Sequence, residues 1–173
     1  MHGLSLSCTT LAALIYLAAP SLAFPLAASS LTPRSRTCDN APATVAGSLL
    51  PARHSTNTIL WCATRTRTYI ILEIITSTNS TPLRSLFTSV LYYLGMRIAD
   101  FGDAVLPEGQ FHWADDSGME ISTWNANNHQ TTFGVVGAAV GALADYMRRT
   151  GRWGTARFWI FDGGFEVGAG ELF

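Results

Sequence analysis

Thr66-Arg67-Thr68-Tyr69-Ile70-Ile71-Leu72-Glu73-Ile74-Ile75-Thr76 is the stretch that decides the fold. Between Tyr69 and Ile75 only Glu73 is polar, and four of the seven residues are isoleucine. β-Branched side chains are stiff and favour extended backbone, and a run apolar on both faces predicts a buried central strand. Thr81-Pro82 follows, reading as an N-cap with proline at the first helical position. Leu83, Leu86, Phe87, Val90, Leu94, Ile98 and Phe101 then recur at spacings of three and four, one face of a helix that Gly102 ends.

Further along, Gln110-Phe-His-Trp113 and Met119-Glu-Ile-Ser-Thr-Trp124 flank the turn Asp115-Asp116-Ser117-Gly118, which predicts a hairpin. After a polar loop, Thr131 or Thr132 caps a second helix carrying Phe133, Val136, Val140, Ala144 and Met147 on one face. Gly134, Gly137 and Gly141 lower its helix propensity and read as points of close packing. Thr150-Gly151 closes it. Ala156 to Phe161, the turn Asp162-Gly163-Gly164 and Phe165 to Leu172 predict a second hairpin. The order strand, helix, hairpin, helix, hairpin is α+β. Its familiar solution is the ferredoxin-like split βαβ: βαββαβ, an antiparallel sheet with two helices on one face. The last strand would extend one edge of that sheet.

Residues 1–23 hold the apolar run Leu11-Ala-Ala-Leu-Ile-Tyr-Leu-Ala-Ala19, then Pro20 and the small-residue close Ser21-Leu22-Ala23. This is the layout of a secretory signal peptide, and the run is far short of the ~20 apolar residues a bilayer span needs. The expected address is therefore secreted and extracellular, with no membrane association once the peptide is removed. Residues 24–64, rich in Ala, Ser, Thr and Pro, read as a flexible arm, and 65–173 as a single α+β domain.

All eleven basic residues are arginine. Residues 34–67 hold five arginines against Asp39, net +4; residues 68–173 hold six against eleven acids, net −5. An acidic body disfavours nucleic acid as a partner. Removal of residues 1–23 takes Cys8 away and leaves Cys38 and Cys62, an even pair that predicts one disulfide in an oxidising compartment. Asn79-Ser80-Thr81 is a sequon, followed by Pro82, so Asn79 is the glycosylation candidate.

Candidate chemistry is sparse, and no cofactor or metal is expected. His112, Asp115, Asp116 and Glu120 fall within nine residues, with His129 in the next loop. Imidazole beside carboxylate is the chemistry of a general base or a metal ligand, so these residues define an alternative reading: a small extracellular enzyme or metal-binding protein. No Gly-x-Ser-x-Gly elbow is present. Trp113, Trp124 and Trp159 lie on predicted strands, and a sheet face carrying aromatics would bind sugars or a partner protein.

Two stretches carry a resemblance. Asn128-His-Gln-Thr-Thr-Phe-Gly-Val-Val136, running into Ala144-Asp-Tyr-Met147, is one; Phe158-Trp-Ile-Phe-Asp-Gly-Gly164 with Glu166-Val-Gly-Ala-Gly-Glu171 is the other. Together they resemble a group of small, uncharacterised secreted proteins of filamentous ascomycete fungi. The resemblance implies a fungal, extracellular setting and no catalytic residue. The expectation that follows is a non-enzymatic binding or effector-like protein, its partner a host protein or a cell-wall glycan.

Overall fold

The computed structural model describes residues 36–46 and 58–173; residues 1–23, read as a signal peptide, and most of the expected arm lie outside the described residues. A two-stranded hairpin, β1 (Arg36–Cys38) and β2 (Ala41–Ala46), precedes β3 (Ile59–Cys62) and β4 (Thr68–Ser77). Helix α1 (Ser80–Phe101), a 3-10 turn (Pro107–Gly109), β5 (Gln110–Ala114) and β6 (Glu120–Asn125) follow. Helix α2 (Phe133–Thr150), β7 (Gly154–Asp162) and β8 (Phe165–Leu172) complete the chain.

Six strands form one antiparallel sheet in the order β3-β4-β7-β8-β6-β5. Apolar on both faces, β4 takes a partner at each edge, β3 on one side and β7 on the other. Two sequence expectations are corrected here. Ile59–Cys62, within the expected arm of residues 24–64, is instead an edge strand. Its four residues, Ile-Leu-Trp-Cys, are an apolar run that the surrounding Ser/Thr/Ala/Pro composition masks. The C-terminal strand is not an edge extension. β8 lies inside the sheet between β7 and β6, so the hairpin expected at the rim separates β4 from β6.

Alternation along the strands makes two layers. Ile70, Leu72, Phe158, Ile160, Ile121 and Leu172 face a core shared with Leu83, Leu86, Val90 and Leu94 of α1 and Val136, Val140, Leu143 and Met147 of α2. Both helices thus cover one sheet face. Each such side chain, fully buried, contributes about 1.5–3 kcal/mol. Gly168 and Gly170 of β8 sit on this face because no side chain fits: a Cβ on Gly170 would lie 2.5 Å from the Phe158 ring and 2.7 Å from the Ser122 carbonyl oxygen.

The helix ends follow capping chemistry, with one shift. The α1 N-cap is Asn79, whose side chain accepts from the Thr81 amide, rather than Thr81 itself. Thr132 caps α2, accepting from the Val135 amide at 3.3 Å, and Gly151 closes it in the left-handed conformation. Asp103 also caps α2 by accepting from the Gly134 amide at 2.6 Å. That explains Gly134, where a Cβ would stand 2.7 Å from the carboxylate. Among the described residues no helix is long and apolar enough to cross a membrane.

Candidate functional site

The sheet face turned away from the helices is built of cross-strand rows. One row runs Leu60, Ile71, Trp159, Ala169, Trp124, Gln110; the next runs Glu73, Arg157, Glu171, Ser122, His112. Neighbouring strands stand ~4.8 Å apart, so Trp159 and Trp124, separated by Ala169, lie about 10 Å apart along their row.

The β3-β4-β7 half of this face is covered. Cys38, Leu60, Tyr69, Ile71 and Phe161 form a second buried cluster there. Cys38 is bonded to Cys62 as the cysteine count predicts, with Cα atoms 5.7 Å apart. Asn40 clasps the backbone of the same cysteine, donating to the Cys62 carbonyl at 2.8 Å and accepting from its amide at 3.1 Å. The Asp39 amide donates to the Leu60 carbonyl. These contacts blunt the β3 edge, which would otherwise offer unpaired backbone groups. Tyr69 stacks on Phe161 with centroids 4.9 Å apart, and burial pushes its phenol up to about 12, so it stays protonated at neutral pH.

The β8-β6-β5 half carries polar groups around one exposed indole. Trp124 is 39 % exposed. Arg157 pairs with Glu171 at 2.9 Å. His112 Nδ1 stands 2.8 Å from Ser122 Oγ, and its Nε2 is 3.9 Å from Glu120. The imidazole is more than half exposed, so this Ser-His-Glu ladder offers solvated donors and acceptors rather than a shielded nucleophile.

The candidate residues named from the sequence divide accordingly. Trp159 and Trp124 share the face turned away from the helices, where Trp159 is half-buried against the covering cluster and Trp124 is exposed. Trp113 does not: it points into the helix layer, donates from Nε1 to Ser89 Oγ at 3.1 Å, and packs on Tyr93 with centroids 4.6 Å apart. Its place in a shared binding surface is therefore corrected. His112 and Glu120 meet. His129 lies elsewhere, its ring 5.5 Å from that of Phe165 at the start of β8. Asp115 accepts from the amide and hydroxyl of Ser117, an Asx turn, and Asp116 is exposed beside it. Among the described residues no three His, Cys, Asp or Glu side chains are placed to hold a metal ion. Asn79 is exposed at its helix cap. Sequence reasoning missed Gln110, Arg157 and Glu171. Period-2 alternation signals each of them, but only the strand register brings them to the same face as Trp124.

No family model, curated protein or solved structure matches the chain.

Proposed function

We propose that the chain is a secreted binding protein and that the β5-β6-β8 half of its open face holds a cell-wall type glycan. The observation that carries this is Trp124, an exposed indole with Gln110 beside it in its row and Ser122, Glu171 and His112 in the next. A pyranose presents an apolar C–H face and a rim of hydroxyls. An indole receives the first, and carboxylate, amide, hydroxyl and imidazole groups one strand away pair with the second. The signal-peptide reading of residues 1–23 and the likeness to small fungal secreted proteins support the extracellular setting. Architecturally, we read the sheet as a relative of the split βαβ plan in which the C-terminal hairpin is inserted inside the sheet.

The test is co-sedimentation of the purified full-length chain with insoluble chitin, β-glucan and cellulose. One of the three is expected to retain it, and Trp124→Ala to weaken retention about tenfold, a loss of roughly 1.4 kcal/mol. Failure of all three to retain the chain, or retention unchanged by Trp124→Ala, overturns the proposal. Expressed in a eukaryotic secretory host, the chain should appear in the medium with Phe24 as its first residue.

A further inference from the structure

On the opposite side of the molecule, α1 and α2 run antiparallel, and a groove of about 420 Å³ opens between them. Phe87 and Leu91 of α1 and Gly141 of α2 line it, with Arg84 and Arg148 from the two helices and Trp153 beyond the end of α2. Its volume falls in the range of small-molecule sites, which join an apolar lining to a few placed polar groups.

Gly141 is the feature packing does not account for. By composition it looks like a point of close packing, as Gly134 does. The structure separates the two, for a Cβ on Gly141 would meet nothing within 4 Å. A glycine inside a helix costs about 1 kcal/mol relative to alanine. At this position the missing side chain keeps the groove open, and a second hollow on the other side of α2 shares the same glycine.

The charge of the groove is set as well. Arg84, Arg148, Arg149 and Arg152 gather where the start of α1 meets the end of α2, in a body whose net charge is otherwise negative. Asp145 is the acid among them, and it is already paired. It accepts from Trp61 Nε1 at 3.1 Å, Arg148 at 2.7 Å and Arg149 at 3.1 Å. Arg84 lays its guanidinium over the Trp153 ring at 4.8 Å and has no carboxylate partner among the described residues. Stacking uses the face of a guanidinium and leaves its in-plane N–H donors for an acceptor, which a planar carboxylate suits best.

We infer that the α1-α2 groove binds a small organic anion, a carboxylate on a flat apolar ring system. The ring lies on Phe87 and Leu91 over Gly141, and the carboxylate meets Arg84 and Arg148. The site is independent of the glycan reading, so Trp124→Ala leaves it intact.

The probe is 2-naphthoate, titrated calorimetrically into the full-length chain, with neutral 2-naphthamide as the matched control. Saturable binding of the naphthoate is expected at a dissociation constant of about 0.1–1 mM, with the amide at least about tenfold weaker. Gly141→Leu fills the groove with a better helix former, so it should abolish binding while the unfolding midpoint stays at or above the parent value. Arg84→Gln, a change at an exposed side chain, should weaken binding about tenfold and serves if Gly141→Leu folds poorly. No saturation by about 10 mM, equal binding of the amide, or a folded Gly141→Leu that binds like the parent overturns the inference.

Discussion

Gly170→Ala and Gly141→Ala make the same chemical change and are expected to move stability in opposite directions. At Gly170 the new methyl meets the Phe158 ring at 2.5 Å and the Ser122 carbonyl at 2.7 Å. Phe158 is fully buried, and the carbonyl belongs to the neighbouring strand, so neither yields cheaply. Forcing a methyl into such a site costs about 1–3 kcal/mol, and both obstacles being rigid puts it at the upper end. The stiffer unfolded chain returns about 0.4–1 kcal/mol, which leaves a net loss of about 2 kcal/mol. At Gly141 nothing obstructs the methyl, and helix propensity gives a gain of about 1 kcal/mol.

The two variants should therefore differ by about 3 kcal/mol. Urea unfolding followed by circular dichroism resolves this: with a slope near 2 kcal/mol/M, the midpoints separate by about 1.5 M. The comparison also tests topology, because Gly170 is hemmed in only when β8 lies between β7 and β6. A Gly170→Ala variant within about 0.5 kcal/mol of the parent would refute that strand order, and a destabilised Gly141→Ala would refute the open groove.

Trp113→Ala should cost about 3 kcal/mol, through the lost packing on Tyr93 and the lost hydrogen bond to Ser89, whereas Trp124→Ala should stay within about 1 kcal/mol; denaturant titration showing the reverse order would mean the faces are misassigned. Burial alone would raise the Asp145 carboxyl, but hydrogen bonds from Arg148 and Trp61 and the charge of Arg149 outweigh it and hold the group below its ordinary range. Its contribution to stability is therefore complete above the unfolded value of about 4 and is lost as pH falls through the folded one. Asp145→Asn should flatten the fall of the unfolding midpoint below about pH 4, and unchanged slopes would refute the assignment.

The elements themselves were legible. A helix announces itself through apolar residues at 3.6-residue spacing, and Leu83 through Phe101 and Phe133 through Met147 do so without competition. A hairpin announces itself through its turn, as Asp162-Gly163-Gly164 does. The order of strands in the sheet was not legible, because it depends on which pairings win when several edges are available. Glycine in a strand usually signals weak pairing, so Val167-Gly-Ala-Gly170 suits an edge on composition. In the folded chain the same glycines admit Phe158 and the β6 backbone, which is a reason to be central.

The site depended on a smaller quantity still. Within one strand, alternation states which residues share a face, but the phase between two strands of a hairpin is set by the loop that joins them. A four-residue turn, Asp115-Asp116-Ser117-Gly118, would pair Ala114 with Met119 and put Trp113 and Trp124 on the same face. The observed pairing is Ala114 with Glu120, with the Asp115 amide bonded to the Met119 carbonyl, so the loop is one residue longer. That residue, Met119, reverses the phase. Trp113 then turns inward to Ser89 and Tyr93, and Trp124 turns out beside Ala169. Two indoles that look equivalent in the sequence become a core anchor and an exposed side chain on the opposite face of the sheet.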